Sequence, residues 1–419
     1  MARLHTLTAL DVGSSKVVCA IVELVPDGGI EVVARGVAPC RGVSEGVLVD
    51  GAATVEAIVA AVSEAEASGY PIGPAVVGIS SENLAFRTGR GVTAVGSKDG
   101  EITPSDQERV QASACMVGVP SDYEVVSMVT RSFSVDGQSD IVNPVGLTGV
   151  RLEADAFVCA ASSHYLTNLK RVVEKAGLEI CDKGFLPAAM ASSLAVLTDD
   201  ERDVGALMLD IGMGTVDLAV HTKEIGYSAV LGKGGRIIAN DVACVFNITK
   251  SESERLVTEF GAAGVEYLDP KVVDEKITAT STAGDSEVTV SRKELAEVIE
   301  ARLQEIVEWS AEHMKKARSR GLNVAGVVLT GGVSFLPGIE RCFSKALGVP
   351  ARVAAPCCLP CVPKHLDSPI YSTVVGLVVF GANLVKHTPV DNESSPQRNR
   401  KGPLGWYWKV IELFEGMFN

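Results

Sequence analysis

The strongest constraint in this sequence is a short pattern that occurs twice. In the middle of the chain an apolar run, 204–209, ends in Asp210. Ile211-Gly212-Met213-Gly214-Thr215 follows, and a second apolar alternation begins at Val216. Near the start, Leu10-Asp11-Val12-Gly13-Ser14-Ser15-Lys16-Val17 repeats the arrangement, about two hundred residues earlier. Each copy reads as a β-hairpin whose tight turn exposes backbone N–H groups and hydroxyls, with a carboxylate at its mouth. One Asp–Gly element alone is equally well explained as a plain β-turn. Two copies in matching strand context predict two related halves facing one ligand.

Chemistry narrows that ligand. Two facing hairpins would surround a polyphosphate with backbone N–H groups from Gly13, Gly212, Met213 and Gly214. Ser14, Ser15 and Thr215 would add hydroxyls, and Lys16 a positive charge. Asp11 and Asp210 are placed to hold Mg²⁺ through water, because Mg²⁺ sheds its hydration reluctantly. A third element, 324–329 followed by Thr330-Gly331-Gly332, reads as strand, glycine pair and helix. Gly331 and Gly332 would let a nucleoside lie against the backbone.

The net charge of −14 argues against nucleic acid as a partner. Ten cysteines in 419 residues, several in apolar runs (Cys19, Cys159, Cys244), fit reduced thiols better than a disulfide scaffold. Cys357, Cys358 and Cys361 contain a C-x-x-C without a second pair, so inert thiols are expected there. The N-terminus lacks a signal-peptide core and no apolar run reaches membrane-span length. A cytoplasmic protein with at most peripheral membrane contact is therefore expected.

Along the chain, short β-rich segments at 7–24 and 30–37 precede a helix over 50–67 and a buried strand at 75–80. From 81 to 163 the texture changes. A Gly- and Ser-rich stretch (89–100), a helix over 105–116 introduced by Thr103-Pro104, and strands at 124–134 and 150–161 predict an inserted α+β module. Helices are expected at 163–177 and 187–197. In the second half they are expected at 239–246, after the glycine turn 232–238, and at 251–260. Strands at 273–279 and 286–291 lead to a long helix over 291–320, with a capping box at Ser291 and Glu294. A last apolar helix covers 371–386. Residues 387–403 read as a linker, with Arg398, Arg400 and Lys401. Residues 404–419 then form an amphipathic helix: Trp406, Tyr407, Val410, Ile411, Leu413, Phe414, Met417 and Phe418 share an arc, with Lys409, Glu412 and Gly416 opposite. Such a helix docks either on the protein's own surface or on a membrane. The linker favours the membrane, and Trp408 joins the candidate lipid-binding set.

The two hairpins and Leu329-Thr330-Gly331-Gly332 together resemble the actin/Hsp70/sugar-kinase superfamily. Within it, the chain is similar over essentially its whole length to the FtsA family of bacterial cell-division proteins. Residues 40–43 (CRGV), 141–151 (IVNPVGLTGVR), 191–198 (ASSLAVLT) and 371–377 (YSTVVGL) carry that resemblance. It implies an α/β, actin-like two-lobed ATPase fold of duplicated RNase H-like domains, with an inserted α+β (SHS2-type) module and a C-terminal amphipathic helix. The implied division is a first lobe of 1–80, 164–200 and 366–386, and the module at 81–163. A second lobe of 201–231 and 321–365 and a subdomain of 232–320 follow.

The resemblance further implies ATP and Mg²⁺ as cofactors, and self-polymerisation through the module. It implies a tether that joins the FtsZ C-terminal tail to lipids on the cytoplasmic face of the inner membrane and recruits later division proteins. By the family pattern, Gly235, Asp241 and Glu254 approach the nucleotide's sugar and base. Met213 replaces a common glycine, Val257 replaces a common lysine near the base, and Leu186 stands where several superfamily ATPases carry a carboxylate. Slow or absent turnover is therefore expected. The alternatives are a pilus-assembly adaptor of the same fold and a small-molecule kinase.

Overall fold

The computed structural model describes residues 6–24, 29–116, 118–284, 286–358 and 362–386. The linker and the candidate membrane helix, with all its assigned residues, lie outside the described residues, as does Cys361.

Two five-stranded sheets form the frame, and they are built alike. In the first, the hairpin strands Thr6–Val12 and Lys16–Leu24 pair antiparallel, and Ile30–Pro39 extends them at one edge. On the other side Ala75–Ile79 and then Ile180–Pro187 join in parallel. The second sheet repeats this order with Ala206–Ile211, Val216–Thr222, Glu224–Leu231, Gly326–Thr330 and Ala351–Val353. The duplication expected from the hairpins thus extends to the whole sheet. Val204 is a correction to the expected strand: it ends a short helix, Asp199–Val204, which the capping box of Thr198 and Glu201 starts.

The helices Ala188–Val196 and Ser372–Lys386 fill the space between the sheets. They approach closely because Gly376 has no side chain: a Cβ there would lie 1.8 Å from the Ala191 carbonyl oxygen. On the outer face of the first sheet, helix Gly51–Glu66 starts at Asp50, whose carboxylate accepts from the N–H groups of Ala52 and Ala53. Behind the second sheet lie Gly235–Phe246, Lys250–Phe260 and the long helix Arg292–Ser319, which starts at the expected capping box.

The inserted segment is a four-stranded antiparallel sheet in the order Leu84–Ala94, Arg151–Ser162, Tyr123–Val135, Gln138–Ile141, crossed by helix Pro104–Cys115. The glycine-rich stretch from 89 is partly strand. Cβ atoms at Gly89 and Gly91 would each lie 2.0 Å from a carbonyl oxygen of that helix, so these glycines let it rest directly on the sheet. The edge strand Glu224–Leu231 of the second sheet packs against module strands Leu84–Ala94 and Tyr123–Val135.

Candidate functional site

The hairpin turns close in the same way. Gly13 N–H donates to the Lys16 carbonyl at 3.0 Å, and Gly212 N–H to the Thr215 carbonyl at 2.9 Å. Asp11 and Asp210 are each the penultimate residue of their strand, so the sheet repeat brings both carboxylates to the same end of the molecule. The turns meet tip to tip: a Cβ on Gly214 would lie only 2.1 Å from Ser14 Oγ. Beside them opens a cleft of about 660 Å³.

All ten residues expected around phosphate and Mg²⁺ line this cleft: Asp11, Gly13, Ser14, Ser15, Lys16, Asp210, Gly212, Met213, Gly214 and Thr215. Of the five expected around the nucleoside, Gly235, Glu254, Gly331 and Gly332 also line it. Asp241 is not among the lining residues. Helix Gly235–Phe246 turns Gly235, Ile238 and Ala239 to the cleft, while the Asp241 carboxylate accepts from Arg302 Nε at 2.6 Å on the long helix.

Hydroxyl groups hold the second hairpin's acids. Asp210 Oδ2 accepts from Ser192 Oγ at 2.6 Å and Thr373 Oγ1 at 3.0 Å, supplied by the two helices between the sheets. Gly331, at φ 85°, passes so close that a Cβ would lie 2.4 Å from Asp210 Oδ1, so glycine is required there on both counts. Asp217 faces Asp210 across the hairpin, and its Oδ2 accepts from Ser80 Oγ at 2.6 Å and Thr215 Oγ1 at 3.1 Å.

The electrostatics follow from crowding acids away from water. Burial, reinforced by the Asp210 charge, pushes Asp11 up to about 6, with Lys16 pulling the other way. Burial raises Asp210 against the hydrogen bonds of Ser192 and Thr373, and pushes Asp217 up to about 7. Burial lowers Lys16, whose Nζ lies 4.6 Å from the centroid of the Tyr371 ring. Hard oxygen donors that resist ionising together suit a hydrated Mg²⁺. Among the described residues no three His, Cys, Asp or Glu side chains cluster as a direct metal cage.

Away from the acids the lining turns apolar, with Ile238, Val257, Val333, Phe335 and Leu336. Residue patterns did not single out Phe335, Thr258, Ser80 or Asp217 as site residues, although Asp217 carries a local signal as the strand partner of Asp210. Leu186 is fully buried. Outside the cleft, burial pushes the Cys358 thiol up to about 12, while Cys357 is exposed.

A family model described as "Cell division protein FtsA" matches residues 207–376, and one described as "SHS2 domain inserted in FTSA" matches 82–160. The cell division protein FtsA of Pseudomonas aeruginosa is 32% identical over 377 residues, covering 90% of this chain and 89% of that protein. This chain belongs to the FtsA family of cell division proteins. The SHS2 match falls on the inserted α+β module, and the fold is actin-like, as the FtsA resemblance implies. Two solved structures share the fold. The PilM–PilN type IV pilus biogenesis complex aligns with a TM-score of 0.65 at 17% identity, over 90% of this chain and 98% of that one. MreB5 of Spiroplasma citri, solved bound to ADP, aligns with a TM-score of 0.54 at 13% identity, over 92% and 99%. Among the described residues no helix is long and apolar enough to cross a membrane.

Proposed function

We propose that the cleft binds ATP and that the chain is an actin-like adaptor of cell division. In this reading it polymerises and tethers the FtsZ ring to the cytoplasmic face of the inner membrane. The observation that carries it is the closure of two symmetry-related hairpins, with their acids, on one cleft. Gly13–Lys16 and Gly212–Thr215 hold the phosphates. Gly235, Glu254, Gly331 and Gly332 hold the nucleoside, with Val257 and Phe335 offering the base an apolar wall. Asp11 and Asp210 would hold Mg²⁺ through its waters, and that ion would neutralise phosphate charge. The ADP bound by MreB5, of the same fold, supports this reading.

The remaining parts follow the family. The module at 81–163 serves self-association, and 232–320 receives the FtsZ C-terminal tail. The stretch 387–403 is the linker, and 404–419 lies on lipid. ATP acts as a structural ligand that closes the lobes; Met213 beside the phosphates and apolar Leu186 support slow or absent turnover. Later division proteins join the assembled tether.

Sedimentation with liposomes and FtsZ filaments tests the whole. Full-length protein should pellet with both, and a chain ended at Pro403 with FtsZ alone. FtsZ lacking its tail should pellet neither. Equal lipid binding by the two chains would remove the anchor from the reading.

A further inference from the structure

Arg236 contacts both hairpins at once. It is the second residue of helix Gly235–Phe246, and its N–H donates to the Met213 carbonyl at 2.8 Å, beside Gly235 N–H to the Gly212 carbonyl at 2.9 Å. The second hairpin therefore satisfies the first amides of the helix. The side chain runs the other way, across to the first lobe. Nη2 donates to the Ser14 carbonyl in the turn of the first hairpin, and Nη1 lies 3.4 Å from Ser44 Oγ. Among the described residues no carboxylate forms an ion pair with this guanidinium.

A carbonyl in a phosphate-binding turn has the wrong sign for its ligand. In a trans peptide the C=O and the following N–H point in opposite directions. Holding the Ser14 carbonyl on a guanidinium therefore directs the Ser15 N–H, on the same peptide plane, away from Arg236. Ser15 lines the cleft, and its own carbonyl is held by Cys40 N–H at 2.9 Å, so the turn is fixed on both sides. The charge-assisted bond to Ser14 is the stronger kind, and its donor sits on the opposite lobe.

We propose that Arg236 is a positioning residue that presets the first phosphate hairpin from the second lobe. It makes polyphosphate affinity, but not nucleoside affinity, depend on lobe closure. The inference rests on the reading of the cleft as an ATP site. Lysine at 236 keeps the charge but is a single point donor, and cannot hold Ser14 and Ser44 with one planar group.

Full-length wild type, Arg236→Ala and Arg236→Lys are titrated with ATP, ADP and adenosine, and each variant is first checked for a wild-type melting transition. Arg236→Ala is expected to lose about tenfold in ATP and ADP affinity, with Arg236→Lys between it and wild type. Adenosine affinity should stay within about twofold in both. A folded Arg236→Ala chain with ATP affinity within about twofold of wild type overturns the proposal. So does an equal loss for ATP and adenosine, which would make the role merely structural. If Arg236→Ala does not fold, Arg236→Lys decides by the same split. Wild type that binds no ATP overturns the nucleotide reading as well, and is told apart because the variants are then not needed.

Discussion

The two hairpins that face the cleft share a frame and differ in how they are held. Strand register sets Asp11 opposite Val18 in the first and Asp210 opposite Asp217 in the second. One acid therefore has an apolar neighbour, the other a second acid. The second hairpin answers that crowding with four hydroxyl contacts, three of them (Ser80, Ser192 and Thr373) from elsewhere in the chain. The first carries its own cation, Lys16, and receives one reach from across the cleft, Arg236. The second is an anchored base; the first is a jaw whose setting is imposed from outside. Burying several acids beside the single cation Lys16 costs stability, and that cost is tolerable where a bound cation completes the site.

The contact between the jaws is the place to break this picture. Gly214→Val puts a side chain where Ser14 Oγ stands and should cost about 3 kcal/mol, over a hundredfold in ATP affinity by titration. Near-wild-type affinity would mean the tips are not in contact when ATP is bound. Next comes the asymmetry in anchoring. Ser192→Ala leaves Asp210 short of a buried partner and should cost about 2 kcal/mol in denaturant unfolding. Ser15→Ala, at the exposed turn of the first hairpin, should cost under about 0.5 kcal/mol. Equal costs would erase the distinction between base and jaw.

The pH dependence probes the paired acids with a smaller effect. Asp217 is raised from 3.8 to about 7 and Asp11 to about 6, so the folded chain keeps protons that the unfolded chain has released. The contribution of these two acids to the stability of the nucleotide-free protein should therefore fall as pH rises from about 4 to about 7 and level off above. Buried His221, pushed down to about 3 by desolvation, opposes this with a smaller rise that ends near pH 6.5. Asp106 acts oppositely to the two raised acids. Hydrogen bonds from Thr103 and Gly96, with Arg109, outweigh its burial and hold it at about 2, so its contribution is fully present and constant above about pH 5. Melting temperatures across pH 5 to 8 should show the decline, and Asp217→Asn should flatten it; an unchanged slope would remove Asp217 from the account. The smallest change is expected for Met213→Gly. ATP affinity should stay within about threefold while phosphate release rises, since the substitution clears the space beside the phosphates without touching a hydrogen bond.

What was legible in the sequence was local. The hairpin motif, the Ser291 and Glu294 box and the Thr103-Pro104 helix start act within a few residues and left clear patterns. The strand Ile180–Pro187 did not, because Asp182 and Lys183 interrupt it: the register shifts there and Lys183 takes φ 61°. The partner of Asp241 was not legible either, since its carboxylate pairs with Arg302, 61 positions away. Ser80 and Asp217 meet across 137 positions, which no residue pattern announces. The Asp217 half of that contact was recoverable, since hairpin register alone sets it beside Asp210.

The packing of the inserted sheet against strand Glu224–Leu231 has a further consequence. That strand ends the second sheet, so its outer margin carries peptide groups able to recruit a foreign strand. The module covers it. A chain trimmed of 82–160 would lose this shield along with the module's own contacts, and sticking of such a truncated protein to itself would report a bared sheet margin, whatever role the module plays between subunits.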